Sequence, residues 1–149
     1  MNLFDQISAD IKAAMLAKDR ERLEALRNVK KYFIEAKTAP GANDMLSDET
    51  ALKIIGKLVK QGKDSAQIYL IQNRPDLAVA ELAQVKVYDD YLPKQLSADE
   101  LEAELKQIIA AVGATGPQDM GKVMGAATKA LAGKAEGRTI SETVKHLLA

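Results

Sequence analysis

Apolar residues recur along almost the whole chain at steps of three and four, and no stretch alternates with period two for long enough to form a strand. That periodicity restricts the fold to amphipathic helices packed on one another. Leu3, Ile7, Ile11 and Met15 give one stripe, and Leu23, Leu26, Phe33 and Ile34 a second, with Asp19 placed to cap the helix between them. Turn chemistry follows at Pro40-Gly41 and Asn43-Asp44. Ser47 then opens a third helix carrying Leu52, Ile55, Leu58, Val59, Ala66, Tyr69 and Leu70, with Asp48 and Glu49 favourably set against its dipole. Asn73-Arg74-Pro75 breaks it, and Pro75 suits the first position of a fourth helix striped by Leu77, Val85, Tyr88 and Tyr91.

Pro93 stops helical propagation. Ser97-Ala-Asp-Glu100 is a capping box for a fifth helix with Leu101, Leu105, Ile108 and Val112. A sixth helix is expected from about Asp119 to Ala132, stopped by Gly133, and Thr139-Ile-Ser-Glu142 is a further capping box for a short last helix. The expectation is an all-α chain of two helical lobes: an N-terminal four-helix domain over 1–92 and a C-terminal three-helix domain over 97–149. The aromatic residues (Phe4, Tyr32, Phe33, Tyr69, Tyr88, Tyr91) all fall in the first lobe, and a tail that small should be marginal alone.

Lys plus Arg and Asp plus Glu balance at 21 each, so no overall field draws the chain to nucleic acid or membrane. There is no cysteine, which excludes disulfides, thiolate zinc sites and cysteine nucleophiles. The start of the chain lacks the basic-then-apolar plan of a signal peptide, and no apolar run approaches the roughly 20 residues of a membrane helix. A cytosolic protein is expected, with neither membrane nor DNA as partner.

Local charge is more informative. Gly121, Gly125, Gly133 and Gly137 are interleaved with Lys122, Lys129, Lys134, Arg138 and Lys145, and from Gly113 onward these five cations face only Asp119, Glu136 and Glu142. Gly121 and Gly125 lie on one helix face, either for a close crossing of the sixth helix against the fifth or seventh, or for close approach of an RNA backbone with Lys122 reaching a phosphate. Gly133 to Gly137 reads as a helix stop and turn, or as a loop whose N–H groups meet an anion beside Lys134 and Arg138. Without aromatic residues after Tyr91, this lobe has no platform for stacking unpaired bases and would read RNA by shape and backbone. A secondary basic stripe of Lys53, Lys57, Lys60 and Lys63 runs along the third helix, with Arg27, Lys30 and Lys31 on the second. Such charges usually mark a solvated face, and a phosphate-facing ridge is the functional alternative.

No catalytic signature accompanies these features. A Walker-type Gly-Lys-Ser/Thr cradle is absent, His146 near the end of the chain is the sole histidine, and carboxylate pairs such as Asp89-Asp90 sit at positions typical of solvated faces. No catalytic residue, metal or cofactor is expected.

Tyr91-Leu-Pro-Lys-Gln-Leu96, Gly121-Lys-Val-Met-Gly125 and Gly133-Lys-Ala-Glu-Gly-Arg138 leading to Val144-Lys145 together resemble the YqeY family. Leu26-Arg27, Asp64-Ser65 and Arg74-Pro-Asp-Leu77 are weaker matches, and the likeness runs nearly end to end. Glu136 stands where that family often has Asp, and Ile68-Tyr69 where it often has Phe. The C-terminal part is similar to the tail domain of the GatB subunit of glutamine-dependent tRNA amidotransferase. The resemblance implies two all-helical lobes and a tRNA-related accessory role, with tRNA, a tRNA–enzyme complex or a protein of aminoacyl-tRNA metabolism such as an amidotransferase or synthetase as partner. It also implies the activity often attached to such proteins, a carbon–nitrogen ligase using glutamine as amido donor. The residues themselves favour binding without an active site.

Overall fold

A computed structural model describes residues 2–149. The described residues form seven α-helices and one short 3-10 turn, with no strand, so the all-α class holds. The chain divides into two compact units, the first ending at Leu92 and the second spanning Pro93–Ala149.

The first unit contains α1 (Leu3–Ala17), α2 (Arg20–Lys37), α3 (Asp48–Ile71) and α4 (Pro75–Asp89). Each begins where local chemistry satisfies or dispenses with the orphan N–H groups of a first turn. Asn2 accepts from the Asp5 amide, Asp19 from that of Arg22 and Ser47 from that of Thr50, at 2.8, 3.1 and 3.2 Å. Pro75, which has no amide proton to satisfy, opens α4. The Leu3 amide donates to the Asp48 carboxylate at 2.9 Å, tying the start of α1 to that of α3.

Ile7, Leu26, Val29, Phe33 and Ile55 are fully buried at the centre of this unit, with Leu58, Val59, Val85 and Tyr88 around them. Three residues assigned to apolar stripes from their spacing, Met15, Ile34 and Leu70, are instead exposed. Spacing reports which face a residue shares, and not how far along that face its partner helix extends.

α3 and α4 pack closely on one another at Gly62. Gly62 is buried, and a Cβ there would run into Val85 Cγ2, with the Glu81 backbone behind it. The missing side chain lets the two helices close on one another.

Two tyrosines of α4 and its exit then fix the hairpin to the rest of the unit. Tyr88 Oη accepts from Asn28 Nδ2 at 2.9 Å and donates to Gln84 Oε1 at 3.1 Å. Tyr91 Oη donates to Asp10 Oδ2 at 2.6 Å and accepts from Arg22 Nη2 at 3.2 Å, while Arg22 Nη1 reaches Asp90 at 3.3 Å. One hydroxyl thus joins α1, α2 and the end of α4. Burial, reinforced by the neighbouring Asp10 carboxylate, pushes the Tyr91 hydroxyl well above the ordinary tyrosine range, and burial raises that of Tyr88.

In the second unit, α5 (Ala98–Val112), the 3-10 turn Pro117–Asp119, α6 (Met120–Ala130) and α7 (Gly137–Leu148) pack mutually around Leu101, Leu105, Val123, Ala127, Leu131, Ile140, Val144 and Leu148. The Ser97 capping box forms in both directions: Ser97 Oγ accepts from the Glu100 amide at 3.2 Å and Glu100 Oε1 from the Ser97 amide at 3.1 Å. Gly113 ends α5 with φ +71°.

Two boundaries differ from the sequence expectation. α6 stops at Ala130, and Gly133, with φ +74°, lies in the turn beyond it. The Thr139 capping box does not form, because α7 already begins at Gly137 and Glu142 is drawn to Arg138 instead. The α6–α7 turn is held from the other end of the unit: the Leu96 amide donates to the Lys134 carbonyl at 2.9 Å, and Gln95 Nε2 donates to the Gly133 carbonyl at 2.5 Å.

Gly62→Ala should lower stability by about 1 kcal/mol despite the better helix propensity of alanine, because overpacking against Val85 outweighs it. A thermodynamic cycle with Val85→Ala should recover part of that loss, and additive effects would refute the contact. Tyr91→Phe should cost about 1–2 kcal/mol by leaving Asp10 without its donor. The Tyr91 pKa is raised on folding, so its contribution is complete below the unfolded value of about 10 and fades as pH rises beyond it. Chemical denaturation of Tyr91→Phe should therefore show a shallower alkaline decline than the parent protein.

Candidate functional site

Each helix of the second unit turns one face to the shared core and the opposite face outward. On α6, Val123 and Ala127 are buried, with Met120 and Met124 packed beside them. The outward face carries Gly121, Lys122, Gly125 and Lys129, all exposed. A Cβ at Gly121 or Gly125 would meet no atom within 4 Å. The reading of these glycines as a close helix crossing is therefore overturned, since among the described residues no atom comes within 4 Å of a Cβ at either position.

The remaining tail cations do not join this face as one sheet of charge. Arg138 and Lys145 are exposed on the outward side of α7, where Arg138 Nε is engaged by Glu142 Oε1 at 3.1 Å. Glu142 also lies one turn from Lys145, so α7 carries mixed charge where α6 carries lysine alone. Lys134 is exposed in the turn between the two helices, but its amide is committed to the Leu131 carbonyl at 2.9 Å. Gly137 is the first residue of α7 and has open space around it, and Glu136 gives the helix no side-chain cap.

In the first unit Lys53, Lys57, Lys60 and Lys63 all lie exposed along α3, and Lys53 pairs with Glu49 at 3.7 Å. Arg27 belongs to another helix, α2, where it lines an open groove with Glu24, Asn28, Lys31 and Gln84. Its neighbour Lys30 lies over the Phe4 ring at 5.8 Å and Lys31 over the Tyr32 ring at 5.4 Å. Those two ammonium groups help to pack the α2 surface against aromatic faces.

His146 is exposed in the last turn of α7. Among the described residues no group of three or more His, Asp or Glu side chains is placed to hold a metal ion, and no helix is long and apolar enough to cross a membrane.

Sequence reasoning placed every candidate cation on an exposed position and could not see their pairing. It missed Gly62, whose only signal was a glycine between Val59 and Ala66 on an apolar face.

Among curated proteins, the chain is similar to the altered inheritance of mitochondria protein 41, mitochondrial, of three yeasts. It is 37% identical to that of Vanderwaltozyma polyspora over 67% of this chain and 54% of the relative. The corresponding values are 32%, 67% and 53% for Lachancea thermotolerans, and 30%, 71% and 58% for Saccharomyces cerevisiae. The chain spans about half the length of these relatives. Their names overturn the cytosolic location expected above: proteins sharing these helices are called mitochondrial, and the character of the first residues does not fix a compartment. The profile of the YqeY family, described as Yqey-like protein, matches residues 4–148, all seven helices but the first residue of α1, and on that near-complete match the chain belongs to the YqeY family.

Proposed function

We propose that this YqeY-family chain is a tRNA-related accessory protein that binds RNA backbone through the outward face of α6, without an active site of its own. The observation that carries the reading is the open space over Gly121 and Gly125 beside Lys122 and Lys129. Gly125, in the interior of α6, costs about 1 kcal/mol relative to alanine, and no contact among the described residues offsets that. A surface that gains from a bare helix backbone is an external one, and lysine beside it selects phosphate. Lys134, Arg138 and Lys145, with Gly137 at the start of α7, extend the footprint from the flanks. Arg138 must exchange Glu142 for a phosphate to take part, a small cost for an exposed ion pair.

The second unit holds no aromatic side chain, so its contacts would follow the form of a folded RNA and not its unpaired bases. Arg27 and the lysines of α3 form separate basic surfaces on the first unit and would serve as secondary contacts. Glutamine-dependent ligase activity finds no glycine-serine-rich amidase signature and no Walker-type phosphate cradle in the sequence and is not part of the proposal.

Lys122→Glu with Lys129→Glu should weaken binding to bulk tRNA by at least about tenfold at low salt and lower the salt slope by about one per lost contact, with unchanged circular dichroism. Wild-type binding by this double variant would exclude the α6 face. Gly125→Ala separates fold from function: it should raise stability by up to about 1 kcal/mol while weakening tRNA binding. A variant that is more stable and binds equally well would remove the glycine argument.

A further inference from the structure

The groove between α2 and α4 is lined by Glu24, Arg27, Asn28 and Lys31 on one side and by Gln84 on the other. One buried phenol orients its two amides. Tyr88 is 3% exposed, and its single proton goes to Gln84 Oε1 while its oxygen accepts from Asn28 Nδ2. Asn28 keeps its Oδ1, and Gln84 its Nε2, for a partner from outside. Neither atom is bonded to another of the described residues, and neither is buried. Exchanging oxygen and nitrogen in both amides would reverse the chain and leave the same pair, one acceptor and one donor.

The charges along α2 are ordered. Glu24 stands at one end of the groove, and Arg27 and Lys31, one turn apart, follow it. Among the described residues no ion pair engages any of the three. The other acids close by lie outside the lining. Glu81 of α4 leans toward α3, its Oε2 3.9 Å from where a Cβ on Gly62 would stand, and Glu21 and Glu35 lie one turn beyond either end of the α2 face. A ligand for this groove therefore needs a cationic group, an anionic group and a paired donor and acceptor between them.

We propose that the groove binds a short extended peptide with free ends, its ammonium at Glu24 and its carboxylate between Arg27 and Lys31. In an extended chain the N–H and C=O of one residue point the same way, so the middle residue complements Asn28 Oδ1 and Gln84 Nε2. Glu24 and Lys31 stand seven residues apart, about 10.5 Å along the helix, which three extended residues at about 3.4 Å each can span. A simple anion would meet repulsion from Glu24. A nucleobase would find nothing to stack on, since no aromatic side chain lines the groove. The proposal is independent of the α6 face.

The test is isothermal titration of the whole chain with trialanine carrying free ends and with the same peptide acetylated and amidated. The free-ended peptide should bind at least about tenfold more tightly. Glu24→Gln should abolish the gain from the free amino end and keep that from the free carboxylate, and Arg27→Gln with Lys31→Gln should do the reverse. These side chains are exposed, so circular dichroism should not change. Equal binding of the free and blocked peptides overturns the proposal, as does a preference that both variants retain. Displacement of the peptide by equimolar inorganic phosphate or adenosine monophosphate would make the groove a plain anion site and overturn it as well.

Discussion

The closure of α3 on α4 at Gly62 is the contact on which the first unit depends. With no side chain at that position, Val85 seats against the α3 backbone and the two helices run close together. Their separation sets where the rest of α4 arrives. Tyr88 meets Asn28 of α2, and Tyr91 comes within reach of Asp10 and Arg22. A wider hairpin would displace both hydroxyls, and hydrogen bonds tolerate little displacement. Backbone sterics at Gly62 therefore govern polar contacts made by residues within two turns of Val85 along the chain.

The helices themselves were legible because their signals are local. Side chains at Asp19, Ser47 and Ser97 mark starts, Pro75 permits one, and Gly113 marks a stop, each by chemistry confined to a few residues. Errors came where a local signal met a competing contact. Thr139 has the residues of a capping box, but Gly137 and Arg138 already continue the helix and Arg138 takes the glutamate that the box requires. Apolar spacing assigned Leu70 to the core, yet a stripe can outrun the helices that cover it.

The glycines show the limit most plainly. Gly121 and Gly125 stand out in the sequence through their spacing and basic neighbours, whereas Gly62 resembles any residue in a long helix. In three dimensions Gly62 is required by packing, and the conspicuous pair has nothing against it. The candidate site was thus legible as a set of residues, but its meaning rests on empty space around a backbone, which no sequence pattern reports. Charge pairing was equally hidden: nothing in the sequence shows that Arg138 is engaged by Glu142.

The bonds from Gln95 and Leu96 to the turn after α6 make the first residues of the second unit part of its far end. The segment from Pro93 to Leu96 is thus a clasp as well as a connector, held to the turn that presents Lys134. Trimming at Ser97, where the first helix of that unit begins, would leave every helix intact and still undo the fastening. An excised unit that keeps both bonds to the turn presenting Lys134 has to begin at or before Gln95.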